Sequence, residues 1–591
     1  MERDVESRMN ALHQISQRKL IQILDRIPGK KDLIIDPVLM RSLDRIIDMK
    51  ILRSHNVDKI YKLEKTGVHA KNSLWVYVVY SDLLTAKCIC DQISADMLRN
   101  DNNRYHMILV PCVLACIQQL MEEEGIYERV SLYSFSWELI RLDSNLLSLE
   151  LPNIFRMLFI DGDQSLLPAI AHTLWSLQLL FGKFSCTLAA GRFSSHISGM
   201  IDVLMKELGT PDKVDSEITC LVLVDRDIDY ASALLTPVTY LGLLDEVFEI
   251  QGGTVAFDTK LPGNKQIVNY QLSAEDGIYN EIKHKYFSSV YSFLSSKVGE
   301  LHAESERRQK MASKEMKHYV ETELKKVINT RQSLSFHIGA CEAIIGELGH
   351  RFEALHRIEQ NMLEGKNKSE SVGYIEDCLA TQTCDKLSLL RLLSLMSLTQ
   401  DGLSKDETSS FKTQFLHRYG YEYLTAFHHL EKLGIFTQQG NIVSTIDTAG
   451  KLADRVAQAV SLPKRGSAFR TMAYKLKLFP DFTEDDDMKS PKDMGYVFSG
   501  AYIPAVCQMI HLLIKGEQSF EDICKVLPGT CTQNGEVSCE IIPRKFLVYF
   551  IGGVTYAEIA AFQLLEKLTG ARIVVAGTNI INAQIVDLRG E

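Results

Sequence analysis

The residues best placed for chemistry sit where an apolar run stops. Asp225-Arg226-Asp227, with Asp229 just beyond, follows the run TCLVLVD from Thr219 to Asp225. Carboxylates at a strand end of an α/β protein could serve general acid–base catalysis. No His, Ser or Cys lies within the cluster to act as nucleophile. An arginine between two carboxylates is more simply an ion-paired network tying a strand end to its loop. Gly552-Gly553 follows a second such run and precedes a helical pattern, where a phosphate-binding turn would sit. Two glycines without the rest of a fingerprint also make a tight strand-to-helix turn. The phosphate loop, the dinucleotide fingerprint, the nucleophile elbow and the zinc-protease helix signature are all absent from the sequence.

Metal chemistry finds no better footing. The acids Glu484 to Asp487 lack the glycine and distal glutamate of a calcium loop, so TEDDDMKSPKD (Thr483 to Asp493) reads as a solvated link. The thirteen cysteines form no C-x-x-C pair, and Cys88, Cys90, Cys112 and Cys116 have no His at zinc spacing. They read as reduced core thiols of a cytosolic protein. No cofactor and no metal are expected.

One stretch stands out by charge. Arg307 to Arg331 holds eight basic and three acidic residues, a net +5 inside a chain of −10. A basic amphipathic helix is a solvated face, a membrane-surface element or a groove partner for an acidic helix. The overall −10 argues against nonspecific binding to nucleic acid or acidic lipid by the whole protein.

The elements that would position these residues follow from length and pattern. At 591 residues the chain needs roughly three or four domains. With 46% hydrophobic residues it is too apolar to be disordered. The start, MERDVESRMN, is no signal peptide, and neither Ala501 to Ile514 nor Phe546 to Phe562 is long and apolar enough to span a bilayer. Five β-rich runs predict buried strands: Leu74 to Tyr80, Met107 to Pro111, Thr219 to Asp225, Phe546 to Ile551 and Arg572 to Thr578. Helical patterns at Thr85 to Leu98, Val113 to Glu124, Leu166 to Phe181 and Tyr556 to Leu568 alternate with them, which predicts α/β domains with mostly parallel sheets. No proline lies between Pro262 and Pro463. Proline costs about 3 kcal/mol inside a helix, so this stretch is permissive for helices. Met316, Val320, Leu324, Val327 and Ile328 keep helical spacing, and Leu387 to Leu398 is apolar on almost every side. Residues 245–460 therefore read as a mainly helical insertion in an α/β domain that resumes near the C-terminus.

Four blocks then carry a family resemblance. LVLVDRDIDYASALLTPVTYLGLLDEVFEI (Leu221 to Ile250) resembles the most distinctive block of the SM (Sec/Munc) family. LLRLLSLMSLTQDGL within Tyr374 to Leu403, DMGYVFSGAYIPAVCQMI (Asp493 to Ile510) and LVYFIGGVTYAEIAAF (Leu547 to Phe562) resemble its later blocks, in the family's order. PGKKDLIIDPVLMRSLDRI (Pro28 to Ile46), EEEGIY (Glu122 to Tyr127), LLSLELP (Leu146 to Pro152) and HIGACEAI (His337 to Ile344) are similar to the vacuolar sorting branch. One departure is Leu241, where the family pattern leads us to expect an acid.

The resemblance implies a non-enzymatic protein with a three-domain arch. Residues 1–130 would form an N-terminal α/β domain, and 131–244 with 470–591 a discontinuous one. A helical domain over 245–469 would be divided at 350 into a SNARE-facing and a partner-docking part. It also implies syntaxin-type and R-type SNARE proteins as partners, held in register so that four-helix zippering starts correctly. Lys310, Lys314, Lys317, His318 and Lys325 would face them. A helical vacuolar-sorting partner subunit (VIPAR-like) would dock on FLHRYGYEYLTAFHHLEKLGIF (Phe415 to Phe436), with Tyr421 and Leu424 facing it and Lys412 at the edge. Leu424 could equally be core. The protein would be cytoplasmic, reaching late endosomes, lysosomes and recycling endosomes through partners. The rival readings are a nucleotide- or phosphometabolite-binding α/β enzyme using Gly552-Gly553 and the Asp225 cluster, and a scaffold without SNARE contact.

Overall fold

Residues that are β-branched or aromatic on both faces of a strand need cover on both faces, and the chain supplies it with helices. The computed structural model describes residues 2–65, 67–68, 70–99, 102–210, 218–261, 264–308, 324–349, 351–381, 384–439, 468–480, 488–535 and 545–586. The first sheet has five parallel strands: β1 (Lys31–Ile35), β2 (Val57–Lys62), β3 (Leu74–Tyr80), β4 (Arg104–Val110) and β5 (Val130–Ser134), in the order β2-β1-β3-β4-β5. All seven residues of β3 are buried. The helices that follow start where side chains cap them. Asp36 accepts from Val38 N ahead of helix Pro37–Ile46, and Asp82 from Thr85 N ahead of Leu83–Leu98.

The second sheet is built from two distant parts of the chain. Its strands are β6 (Ile140–Asp143), β7 (Leu146–Ser148), β8 (Cys186–Ala190), β9 (Cys220–Asp225), β12 (Cys531–Asn534), β13 (Lys545–Ile551) and β14 (Arg572–Gly577). Their order is β12-β8-β9-β13-β14-β7-β6, with the inner five parallel and the two edges antiparallel. β9 pairs directly with β13, Val222 opposite Val548. Between those strands the chain makes a large insertion before it returns to the sheet edge as β12. The insertion carries the long helices Phe287–Arg308 and Leu324–Leu348, then Arg351–Glu364, Lys368–Thr381, Lys386–Thr399, Lys405–Tyr419 and Leu424–Lys432. The fold class expected from the sequence, α/β domains with a helical domain inserted in the second, is thus the observed one.

Two expectations need correction. The insertion is not helical from its start: β10 (Thr254–Leu261) and β11 (Asn264–Gln271) form an antiparallel hairpin. Val255, Phe257 and Leu261 keep the two-residue period, and Pro262-Gly263-Asn264 is a turn signal, so the pattern was present but short. The cysteines are not all isolated either, since Cys378 and Cys384 stand side by side with Cα atoms 5.4 Å apart. Residues 440–467 and 481–487, the latter holding the Glu484 to Asp487 acids, lie outside the described residues.

The strand-end charges form a buried network whose partners are remote in sequence. Arg226 does not pair with its neighbours Asp225 and Asp227. Its Nη1 and Nη2 donate to Glu558 Oε2 and Oε1 at 2.8 and 2.9 Å, and Nη2 also donates to Asp229 O. Both side chains are essentially inaccessible, at 1% and 0%. Glu558 also accepts from Thr555 N and Oγ1, closing the capping box of helix Tyr556–Thr569. Asp225 accepts from Phe193 N, Ser194 N and Ser194 Oγ, so it caps helix Arg192–Glu207. Burial and then the nearby Asp227 push its carboxyl up to about 7. Asp229 accepts from Ser232 N and Oγ, Tyr502 OH and Ala505 N.

A second buried network joins this base to the insertion. Helix Lys386–Thr399 is apolar on nearly every side except at Arg391, which is 2% exposed. Its guanidinium donates to Glu246 and to Thr236 Oγ1 and lies 3.6 Å from Glu359 Oε1. Thr236 Oγ1 in turn donates to Glu359 at 2.6 Å. Next to it His356 is held neutral, because burial and then Arg391 lower it from 6.5 to about 4. Burial and then Lys283 lower His284 to about 3.

Two outcomes test these networks. Breaking a buried pair leaves an uncompensated charge, so Glu558→Ala should cost about 3–5 kcal/mol, read by denaturant unfolding. A loss below about 1 kcal/mol would remove Arg226–Glu558 as the joint. The two histidines bind a proton in the unfolded chain but not in the folded one between pH 6.5 and about 4 and about 3. Their contribution is therefore complete above 6.5 and lost as pH falls, at up to about 1.4 kcal/mol per pH unit each. His356→Gln should flatten the acid side of a plot of thermal midpoint against pH; an unaltered slope means His356 titrates normally.

Candidate functional site

The two catalytic readings of the sequence meet side chains where a ligand would lie. Gly552 and Gly553 have φ of +95° and +110°, a region open to glycine. A Cβ on Gly552 would sit 2.5 Å from Phe159 Cε2, and one on Gly553 2.4 Å from Ile581 Cγ2. The turn is packed against these side chains, and the helix start beyond it is capped by Thr555 and Glu558. Within the Asp225 cluster, Asp225 is spent on a helix cap and Asp229 on four donors, while Asp227 is exposed. Among the described residues no group of three or more His, Cys, Asp or Glu could hold a metal ion, and no helix is long and apolar enough to cross a membrane.

The insertion instead offers open surface. Helices Phe287–Arg308 and Leu324–Leu348 flank a groove of about 1340 Å³. Its apolar lining includes Phe248, Phe257, Val298, Leu301, Leu334 and Ile338. Charge is unevenly spread along it: His302 and Arg331 line the part nearer residues 309–323, Glu342 and Glu347 the far part. From Arg331 to Glu347 a helix rises about 24 Å. Tyr291, Ile328 and Ile345 on the same helices are exposed. The centre of the chain is therefore not packed away.

The groove wall is braced from behind. His337 is fully buried, with Nδ1 2.7 Å from Tyr240 OH and Nε2 3.5 Å from Asp276 Oδ2. Asp276 also accepts from Ser333 Oγ at 2.5 Å and Tyr270 OH at 2.8 Å, and caps helix Gly277–Ile282. Burial works against the charged Asp276, but the ring and the two hydroxyls outweigh it and hold the carboxyl well below the usual range. Burial lowers His337, against the pull of Asp276. Tyr270 stacks on Phe336 at 3.8 Å, and Phe257 packs edge-on to Phe336. The hairpin missed in the sequence thus supplies one side of the groove.

Of the residues expected to face SNAREs, Lys325 is exposed in the first turn of helix Leu324–Leu348. Lys310, Lys314, Lys317 and His318 lie outside the described residues. The partner-docking stretch is described in full. Gly420 (φ +111°) ends helix Lys405–Tyr419, and the turn after it puts Tyr421 (68% exposed) and Leu424 (50%) on the surface. Tyr423 points the other way and is fully buried, with its ring 5.4 Å from that of Phe415. Lys412 is bound to Glu431 at 2.7 Å and sits 5.6 Å from the Phe427 ring. Leu241 is core, at 1% exposure. Part of the groove wall, Ile338, Gly339, Glu342 and Ala343, lies in the HIGACEAI stretch; the other lining residues carry no motif, and Phe257 and Gly339 meet across helix and hairpin.

Comparison with known proteins agrees with this architecture. Residues 31–586 match the profile of the Sec1 family. Vacuolar protein sorting-associated protein 33B of Homo sapiens is 35% identical over 590 residues, covering 97% of this chain and 95% of that protein. Vacuolar protein sorting-associated protein 33A of Rattus norvegicus is 28% identical over 609 residues, covering 97% and 96%. The Unc18–syntaxin 1 complex from Monosiga brevicollis aligns with a TM-score of 0.60 at 15% identity, over 98% of both chains. The SM protein Vps45 in complex with the Qa SNARE Tlg2 aligns with a TM-score of 0.60 at 15% identity, over 97% of this chain and 96% of that one. At such identities the structures speak for the shared fold. The likeness to the vacuolar sorting branch seen in the sequence holds, and the chain belongs to the Sec1 family.

Proposed function

We propose that this protein binds SNARE helices on the surface made by Phe287–Arg308 and Leu324–Leu348 and promotes or regulates their assembly in vesicle docking and fusion. The observation that carries this is the open apolar groove, charged at its two ends, on a braced pair of long helices. SNARE motifs are disordered alone, and ordering one costs conformational entropy. A preformed groove takes part of that cost out of the rate-limiting step. It catalyses assembly and makes or breaks no covalent bond. Lys310, Lys314, Lys317, His318 and Lys325 add the basic face that an acidic helix would meet. The related Unc18 and Vps45 structures are complexes with syntaxin 1 and with the Qa SNARE Tlg2, which supports the reading.

Tyr421 and Leu424 form, on this reading, the anchor for a dedicated helical partner subunit, through which the protein reaches endosomal and lysosomal membranes. An exposed tyrosine beside an exposed leucine, standing on a packed aromatic base, is a suitable interface hot spot. The domain division at 244, 350 and 469 is part of the same proposal, whereas the expected boundary at 130 cuts β5 of the first sheet and moves beyond Ser134. The enzyme reading is disfavoured by the side chains that fill the Gly552-Gly553 turn.

Gly346 lines the groove, and a Cβ there would meet nothing within 4 Å. Gly346→Phe fills the groove and removes a glycine from a helix interior, so the fold should be kept. It should weaken SNARE binding and slow SNARE assembly in vitro by about tenfold or more. Lys314→Glu with Lys317→Glu should weaken binding further at low salt. Wild-type assembly rates with the filled groove would reject this site. Tyr421→Asp should lose about 2 kcal/mol or more of partner affinity while circular dichroism stays unchanged; undiminished co-purification of the partner would reject that surface.

A further inference from the structure

A second cavity lies on the far part of the insertion, away from the SNARE-facing groove. It measures about 250 Å³, below the roughly 300–1,000 Å³ of a drug-sized ligand site. It is formed where helix Arg351–Glu364 ends, helix Lys368–Thr381 begins and helix Lys386–Thr399 ends, with helix Ala468–Lys475 closing one side. Its lining is strongly polar. Among the described residues Lys366, Lys368 and Arg470 are the charged ones that line it, and no carboxylate does. Lys366 is braced by Glu364 at 2.6 Å and Lys368 by Glu407 at 2.7 Å, both from outside the cavity. The carboxylate of Glu364 holds Lys366 above its ordinary range, so the ammonium stays charged.

Three further features point the same way. The turn at Gly365 (φ +67°) lets the Arg470 guanidinium lie against it, since a Cβ there would meet Nη2 at 1.9 Å. The cavity sits at the start of a 14-residue helix, whose first-turn N–H groups of Glu370 and Ser371 already bond Asn367 O. The helix dipole adds positive potential there. Ser371 lines the cavity, is 1% exposed, and its Oγ has no hydrogen-bond partner among the described residues. A buried hydroxyl without a partner is costly, and a ligand oxygen would satisfy it. Cations, a helix start and an unsatisfied donor in a cavity of this size are the complement of one tetrahedral oxyanion.

We propose that this cavity binds the phosphate group of a small phosphate monoester, free in solution or as a lipid headgroup, held by Lys366, Lys368, Arg470 and Ser371 Oγ. The site lies on the helices next to the partner-docking stretch, and its occupancy stands apart from SNARE binding in the groove.

The test uses the full chain in two arms. In one, inorganic phosphate is titrated calorimetrically against chloride at matched ionic strength. In the other, the chain is floated with phosphatidylcholine vesicles with and without phosphatidic acid. Saturable binding is expected in at least one arm: solution alone means a soluble ligand, vesicles alone a lipid headgroup. Lys366→Gln with Lys368→Gln should weaken it about tenfold, and Ser371→Ala several-fold. The two lysines are largely exposed, and Ser371→Ala removes an unpartnered hydroxyl, so both variants should fold; thermal midpoints without phosphate check this. No binding in either arm, or equal binding by wild type and both variants, overturns the proposal.

Discussion

The salt bridge between Arg226 and Glu558 is the joint on which the rest of the molecule depends. It spans 332 positions of sequence and connects the end of β9 to the first turn of the helix after β13. Those strands are hydrogen-bonded neighbours, so two distant parts of the chain meet at the centre of one sheet, while β12 joins its edge beside β8. Two charges placed in a dry interior are tolerated only with good geometry and full hydrogen bonding. Here Glu558 serves both Arg226 and the capping box, and Arg226 reaches Asp229 O as well. A wrong pairing of the two chain segments would leave both charges unmet, which disfavours alternative registers of β9 against β13.

From that joint the order propagates outward through further buried polar contacts. Asp229 takes hydrogen bonds from Tyr502 and Ala505, and Thr236, Glu246 and Glu359 receive Arg391. The blocks that mark the family in sequence are thus the blocks that touch in space. Their charged residues look catalytic in one dimension and prove to be the frame in three. The Gly552-Gly553 turn is likewise taken up by packing, against Phe159 and Ile581.

The wall helix Leu324–Leu348 is held through Ser333 and His337 to Asp276, Tyr240 and Tyr270, which fixes it behind its open face. On the other part of the insertion, the aromatic base of Phe415, Tyr423 and Phe427 does the same for Tyr421 and Leu424. There the buried Tyr423 directly precedes the exposed Leu424 in sequence.

Much of this was legible from residue order alone. Leu74 to Tyr80 and Phe546 to Ile551 are strands in any context, because an unbroken β-branched and aromatic run must be covered on both faces. The lack of proline from 263 to 462 rightly marked the helical insertion. The hairpin at 254–271 was lost because eight mixed residues a side carry little signal. What only tertiary structure decided is who meets whom. Arg226 has two acids beside it in sequence and pairs with a third, because it opens the short 3-10 turn after β9 and the helix after β13 delivers Glu558 to that place. Periodicity is a local property that a chain carries with it. A groove, a buried ion pair or an exposed tyrosine depends on distance between segments, which no local pattern encodes.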